Sequence, residues 1–242
     1  MKEMCQMRGL TLINYILALP GIAFALTIHE YFKALVSFRL GDPYPKLHGR
    51  LRANPKIHIE PIGFLLMLLY GYGWGLPVNT SRTYYKDKKM GTLITYTAPS
   101  LVNLLFAFAF FVLLLSAKEV SYAMGLGLPL NSQGFAQSVQ TIAASGYNLL
   151  SPGPIISFLT GTLYQIVYLF IRYNLSAAIV NLIPVYPLDG SFLLENFLSG
   201  ENRCKLGLYK RTLLILLLFL FMSGFINALF DPIIYALLRP IN

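Results

Sequence analysis

Charge is what this chain has least of. Only 12% of its 242 residues are charged and only ten are acidic, whereas an average soluble domain carries about 25% charged residues. Hydrophobic residues make up 56% of the chain and its mean hydropathy is +0.60. A soluble domain of this size has no interior large enough for that much apolar surface, and a disordered chain has the opposite composition. Cysteine is also scarce. Cys5 and Cys204 alone make neither a disulfide framework nor a Cys-x-x-Cys metal signature. No internal repeat and no linker divides the chain, so residues 1–242 read as one membrane-embedded domain.

What is present is apolar length. Five segments stand out: Leu10 to Leu40, Pro61 to Pro77, Gly91 to Ala117, Ile155 to Pro184 and Arg211 to Leu238. A spanning helix needs about 20 such residues. The first run lacks a small-residue cleavage site and continues into charged residues, so it reads as a helix rather than a cleaved signal. The second is short and contains Gly63, Gly71, Gly73 and Gly75.

The net charge of +9 does not imply a nucleic-acid partner, because no basic amphipathic helix or nucleic-acid motif accompanies it. Cytoplasmic loops of membrane proteins collect Lys and Arg. Nine of the 19 basic residues (Arg39, Lys46, Arg50, Arg52, Lys56, Arg82, Lys86, Lys88 and Lys89) flank the short second segment on both sides. If that segment crossed the bilayer, two basic loops would face opposite sides. It therefore reads as a re-entrant piece, tolerated where protein or a wet cavity covers its backbone. The Lys118–Pro154 loop, nearly free of charge, suits the outer side, and Arg203, Lys205, Lys210 and Arg211 suit the inner side. The expected architecture is an all-α polytopic membrane protein. It has about four spanning helices, a re-entrant element and a small membrane-associated hairpin or loop at residues 43–60. The N-terminus is outside, the basic loops are cytoplasmic, and Cys5 and Cys204 lie on opposite faces.

Ionisable groups inside an apolar span are functional candidates. The first segment holds His29, Glu30 and Lys33. His29 and Lys33, four residues apart, share a helix face, and Glu30 is beside it. His-Glu-x-x-His on a helix binds zinc through its two histidines, with the Glu as general base. Here Lys33 stands in place of the second His. Two arrangements produce such a run: a metal-type site, or polar groups snorkelling from a helix end to the interface. At the end of the fourth segment, Pro184 and Pro187 break the helix and leave Asp189 on irregular backbone near the membrane boundary. That position suits a ligand carboxylate, and equally an ordinary turn. Arg172, within the same segment, has no partner assigned by the sequence.

Together these residues resemble the site-2 protease family of intramembrane zinc metallopeptidases, in the short bacterial form. The family pairs His-Glu-x-x-His in one span with Asn-x-x-Pro-x-x-Pro-Leu-Asp-Gly in a later one, and the second motif is complete here from Asn181 to Gly190. Arg39-Leu40-Gly41-Asp42, Gly49-Arg50-Leu51, Asn54-Pro55, His58-Ile59-Glu60-Pro61, Gly73-Trp74 and Ala98 to Asn103 are also similar, and the match covers about residues 20–195. The resemblance implies that His29 and Asp189 are zinc ligands, that Glu30 is the general base and that Asn181 orients the substrate strand or the oxyanion. It further implies a bacterial cell membrane, and a substrate or ligand that is a membrane-protein helix within the lipid bilayer.

Lys33 changes that expectation. A protonated Lys has no lone pair to donate and repels Zn²⁺, but it can pair with Asp189 and Glu30 in the metal's stead. The reading that follows is a family member without hydrolytic activity and without a cofactor, one that binds or regulates membrane-protein helices. The alternative is an active zinc endopeptidase with an altered ligand set in which His58 substitutes. His58 lies on a segment that can fold toward the site, or is a surface residue of the hairpin. His48, flanked by Lys46 and Arg50, reads as solvent-exposed. Trp74 either lines a substrate entrance or packs. The sequence leaves the oligomeric state open.

Overall fold

A computed structural model describes the backbone of residues 2–124, 128, 130, 137, 139, 140 and 152–241, and side chains from residue 12 to 124, at those isolated positions and from 156 to 241. Most of the loop expected on the outer side, and the side chain of Cys5, lie outside the described residues. Within them the chain is helical and contains no strand.

Three helices are long and apolar enough to cross a membrane: α1 (Lys2–Arg39), through its part Leu12–Arg39, α5 (Lys88–Ala123), and α6 (Pro152–Val180), through its part Ile156–Val180. They pack pairwise against one another and form the body of the molecule. Where α1 meets α6, small residues let the backbones approach. Ala18, Ile22, Ala25 and Leu26 are buried against Leu169, Tyr173 and Ala177. Helix pairs in membranes use small residues in this way, because lipid supplies no hydrophobic drive for association. The Asn103 side chain on α5 donates to the Ala25 carbonyl at 3.1 Å, tying α5 to α1.

The 43–60 segment is a loop with two single helical turns, α2 (Tyr44–Leu47) and α3 (Pro55–His58). The hairpin alternative does not form. Pro43, Pro45 and Pro55 remove the backbone donors that a ladder would need, and Asn54 caps α3 through Lys56 N–H. The second apolar segment begins as α4 (Pro61–Tyr70), ten residues. That gives about 15 Å of helix, half of an apolar core about 30 Å thick. Glu60 caps its start and Gly71, with φ of 83°, ends it. The chain then turns back along α4. A β-carbon on Gly73 would overlap the Gly63 carbonyl oxygen, so this return needs glycine. Trp74, carried on it, is 4% exposed and lies 5.9 Å from Phe221, centroid to centroid. It packs in the core.

After α6 come α7 (Asp189–Phe197) and α8 (Gly200–Leu208). The fifth apolar segment is a bent pair, α9 (Lys210–Met222) and α10 (Phe225–Leu238), meeting at 61° rather than forming one straight span. Gly224, with φ of 75°, makes the break. Counted as one broken span, this pair brings the described spans to four.

Candidate functional site

Helix α1 carries His29, Glu30 and Lys33 into the middle of the bundle, where α6 ends. After Val180 the backbone leaves the helix through Pro184 and a cis Tyr186–Pro187 bond, then restarts as α7 at Asp189. The Gly190 N–H returns to the Asn181 carbonyl at 2.7 Å, closing this turn and fixing Asp189 opposite α1.

Four side chains meet there, each belonging to a residue at most 2% exposed. His29 Nε2 lies 3.0 Å from Asp189 Oδ2, Lys33 Nζ lies 2.6 Å from Asp189 Oδ1, and Lys33 Nζ donates to Glu30 Oε1 at 2.8 Å. Glu30 Oε2 accepts from Val78 N–H at 3.0 Å. A β-carbon on Gly75 would meet Glu30 Cγ at 2.6 Å, so the returning segment also presses on this carboxylate. His29 faces the carboxylate through Nε2, and its Nδ1 is buried without a hydrogen-bond partner. None of these groups snorkels. Two buried carboxylates share one lysine, and a buried charge persists when paired and hydrogen-bonded.

The remaining expected residues stand apart from this cluster. Asn181, just past the end of α6, is buried, and its Nδ2 donates to the Ala177 carbonyl in the last turn of α6 at 2.9 Å. His58 is fully buried rather than a surface residue. Its Nε2–H donates to the Arg52 carbonyl at 2.8 Å, and burial holds its imidazole below the ordinary value. His48 is exposed and stacks on Tyr44.

Zinc in a catalytic site takes three protein ligands and keeps one position for water. Among the described residues, no group of three His, Cys, Asp or Glu side chains gathers that could hold a metal ion. His29 and Asp189 bond to each other, and Lys33 stands where a third ligand would. As arranged, these residues do not fit a catalytic zinc.

The family model for peptidase family M50 matches residues 12–224. The chain belongs to that family, the site-2 proteases. Among curated relatives, "Putative zinc metalloprotease YwhC" of Bacillus subtilis (strain 168) is 28% identical over 197 residues, covering 81% of this chain and 75% of the relative. "Putative zinc metalloprotease Rip2" of Mycobacterium tuberculosis (strain ATCC 25618 / H37Rv) is 25% identical over 226 residues, covering 91% and 72%. No solved structure matches.

Around the peptidase-family core the structure supplies supports that the motifs alone did not assign. Asp42, fully buried, accepts from Ser37 Oγ at 2.8 Å, Ser81 N–H at 2.7 Å and Tyr44 N–H at 3.0 Å. The Arg50 guanidinium donates to the Ile57 and Leu76 carbonyls. Between them, Asp42 and Arg50 hold both ends of the 76–81 segment that presents Val78 to Glu30. Arg172 also finds a partner, in Asp231 on α10, at 3.8 Å. Asp231 accepts from the Tyr72 hydroxyl at 2.8 Å, and Asn227 donates to the Tyr70 carbonyl at 2.7 Å. A carboxylate in the run Phe230-Asp231-Pro232-Ile233 was the available signal, since an intramembrane charge calls for a partner of opposite sign.

Proposed function

We propose that this site-2-protease-family protein works without hydrolysis, binding or regulating membrane-protein helices. The observation that carries this reading is the Lys33 amine held between Glu30 Oε1 at 2.8 Å and Asp189 Oδ1 at 2.6 Å. In the family pattern Glu30 is the general base and Asp189 a metal ligand. Here both carboxylates are engaged by Lys33, and His29 is engaged by Asp189. The cluster then works as a lock. It pins α1 to the turn before α7 and keeps the core shape that receives a helix. The chain sits in a bilayer as a multi-pass protein of a bacterial cell membrane, with its N-terminus outside and its basic loops in the cytoplasm. Its partner is a membrane-protein helix.

Metal content decides the matter. Zinc is measured by mass spectrometry on detergent-purified parent protein and on Lys33→His. The proposal expects no stoichiometric zinc in the parent and about one per chain in the variant, whose ligand set becomes His29, the introduced imidazole and Asp189. Zinc near one per chain in the parent overturns it. The second reading is an active zinc endopeptidase with a rebuilt ligand set. The buried His58 Nδ1, which has no hydrogen-bond partner, favours it, as do the names of the two relatives. It expects zinc in the parent and loss of zinc in His58→Ala.

A further inference from the structure

We propose that a cavity at the basic end of the bundle, lined in part by arginine and hydroxyl-bearing residues, is a binding site for a phosphate group. The proposal goes beyond the reading above and does not depend on whether the centre hydrolyses.

The cavity measures about 190 Å³, room for about six waters at ~30 Å³ each. It lies between the helical turn Arg82–Tyr84, the first turns of α5, and α7 with α8. Arg82 and Arg203 line it, together with Thr80, Tyr85, Thr92 and Tyr96. Glu195 also lines it, but its carboxylate pairs with Lys210 at 3.2 Å. The uncompensated charge facing the space is therefore positive.

The two arginines differ in a way that points to a ligand. Arg203 is committed. Its Nε donates to the Glu195 carbonyl at 3.0 Å and its Nη2 to the Leu198 carbonyl at 3.1 Å. Those bonds fix the fork in place. The Arg82 side chain, half-buried at the same cavity, makes no hydrogen bond or ion pair among the described residues. A guanidinium carries five N–H donors in a plane matched to tetrahedral or planar oxyanions, and one left without an acceptor beside a cavity is a site in waiting. The opposite wall is rigid. The Tyr96 ring stacks on Phe192 at 4.7 Å, and its hydroxyl lies 2.8 Å from Thr80 Oγ1.

Position selects phosphate among anions. Thr92 and Tyr96 stand one and two turns into α5, about 6–12 Å along the helix from its start. Lys86, Lys88 and Lys89 lie at or just before the start of α5, and Lys205 and Arg211 lie on α8 and at the start of α9. That depth in a spanning helix is the headgroup layer, where phospholipid phosphates reside and where basic residues attract anionic lipid. Free phosphate from the aqueous side has the same chemistry. Either occupant would brace the 78–82 segment, which holds Glu30 through Val78, against α7, which begins at Asp189.

The test uses the full chain, purified in detergent and reconstituted in bilayers of phosphatidylcholine alone or of phosphatidylcholine with phosphatidylglycerol. Arg82→Gln is the working variant, since the Arg82 side chain supports no other residue, and Lys56→Gln, an exposed basic residue elsewhere, controls for general surface charge. Native mass spectrometry reads retained phosphatidylglycerol, and thermal unfolding reads inorganic phosphate against chloride at equal ionic strength. The expected result is about a tenfold loss of one of these two ligands in Arg82→Gln and no loss in Lys56→Gln, from one charge-assisted bond. Loss of retained phosphatidylglycerol assigns a lipid headgroup, and loss of the phosphate shift assigns free phosphate. Equal behaviour of parent and Arg82→Gln toward both ligands overturns the proposal, as does an equal loss in Lys56→Gln.

Discussion

Lys33 Nζ lies 2.6 Å from Asp189 Oδ1 and 2.8 Å from Glu30 Oε1, in a volume from which solvent is almost wholly excluded. Removing one member of a buried charge cluster leaves the others unpaired, at a cost of about 3–5 kcal/mol. Lys33→Ala is therefore expected to lower unfolding stability in detergent by that amount near neutral pH. Lys33→Ala combined with Asp189→Asn should cost less than Lys33→Ala alone, because only Glu30 then lacks a counter-charge. Chemical unfolding of the three proteins checks this, and a Lys33→Ala as stable as the parent refutes the pairing role.

Arg172 and Asp231 make the weaker of two contacts at the α10 anchor. Their side chains are 33% and 45% exposed, and the charges are 3.8 Å apart, so the ion pair itself contributes little. The hydroxyl of Tyr72, on a residue with no exposed surface, donates to Asp231 at 2.8 Å. Tyr72→Phe should cost about 1–2 kcal/mol, more than Arg172→Gln. Hydrogen exchange in α10 distinguishes them, with faster exchange expected in Tyr72→Phe.

His58 gives stability a pH dependence of definite sign. Burial, the largest cause, holds its folded-state pKa below the ordinary 6.5; the Arg52 carbonyl opposes the shift and the Arg50 cation adds to it. The unfolded chain then binds a proton more readily than the folded one. The contribution is complete above about pH 6.5 and is lost as pH falls toward the folded value. His58→Gln keeps an amide donor near the position of Nε2 for the Arg52 carbonyl and removes the titration. The variant should lose less stability than the parent between about pH 7 and about pH 5, measured by thermal unfolding in detergent.

Gly73→Ala should be strongly destabilising. Its β-carbon would overlap the Gly63 carbonyl oxygen and fall 2.9 Å from Met67 Cβ. Backbone must move to admit it, at about 3 kcal/mol. Gly207→Ala, with open space around its β-carbon, should be within about 0.5 kcal/mol of the parent. Comparing the two unfolding midpoints separates close packing from the general effect of replacing glycine.

Membrane residence, the helical spans and the re-entrant piece were legible in composition and segment length. So were His29, Glu30, Lys33 and Asp189, because charge inside an apolar run is conspicuous. The 61° break in the last span was marked in the sequence only by Ser223-Gly224, a dipeptide that does not by itself distinguish a bend from a straight helix. His58 was ambiguous for a similar reason: its burial depends on the 50–58 loop folding under Arg50, and that depends on the Ile57 and Leu76 carbonyls lying within reach of one guanidinium.

By itself, then, the sequence determined where the chain must leave water and which ionisable residues it carries inside, since burial of apolar length and the cost of charge in hydrocarbon are local properties. Tertiary structure decided which of those charges meet. Asp189 could face lipid, solvent or α1 on the sequence alone. The turn closed by Gly190 N–H on the Asn181 carbonyl aims it at His29 and Lys33, because a buried carboxylate is tolerated only where the fold delivers its partners.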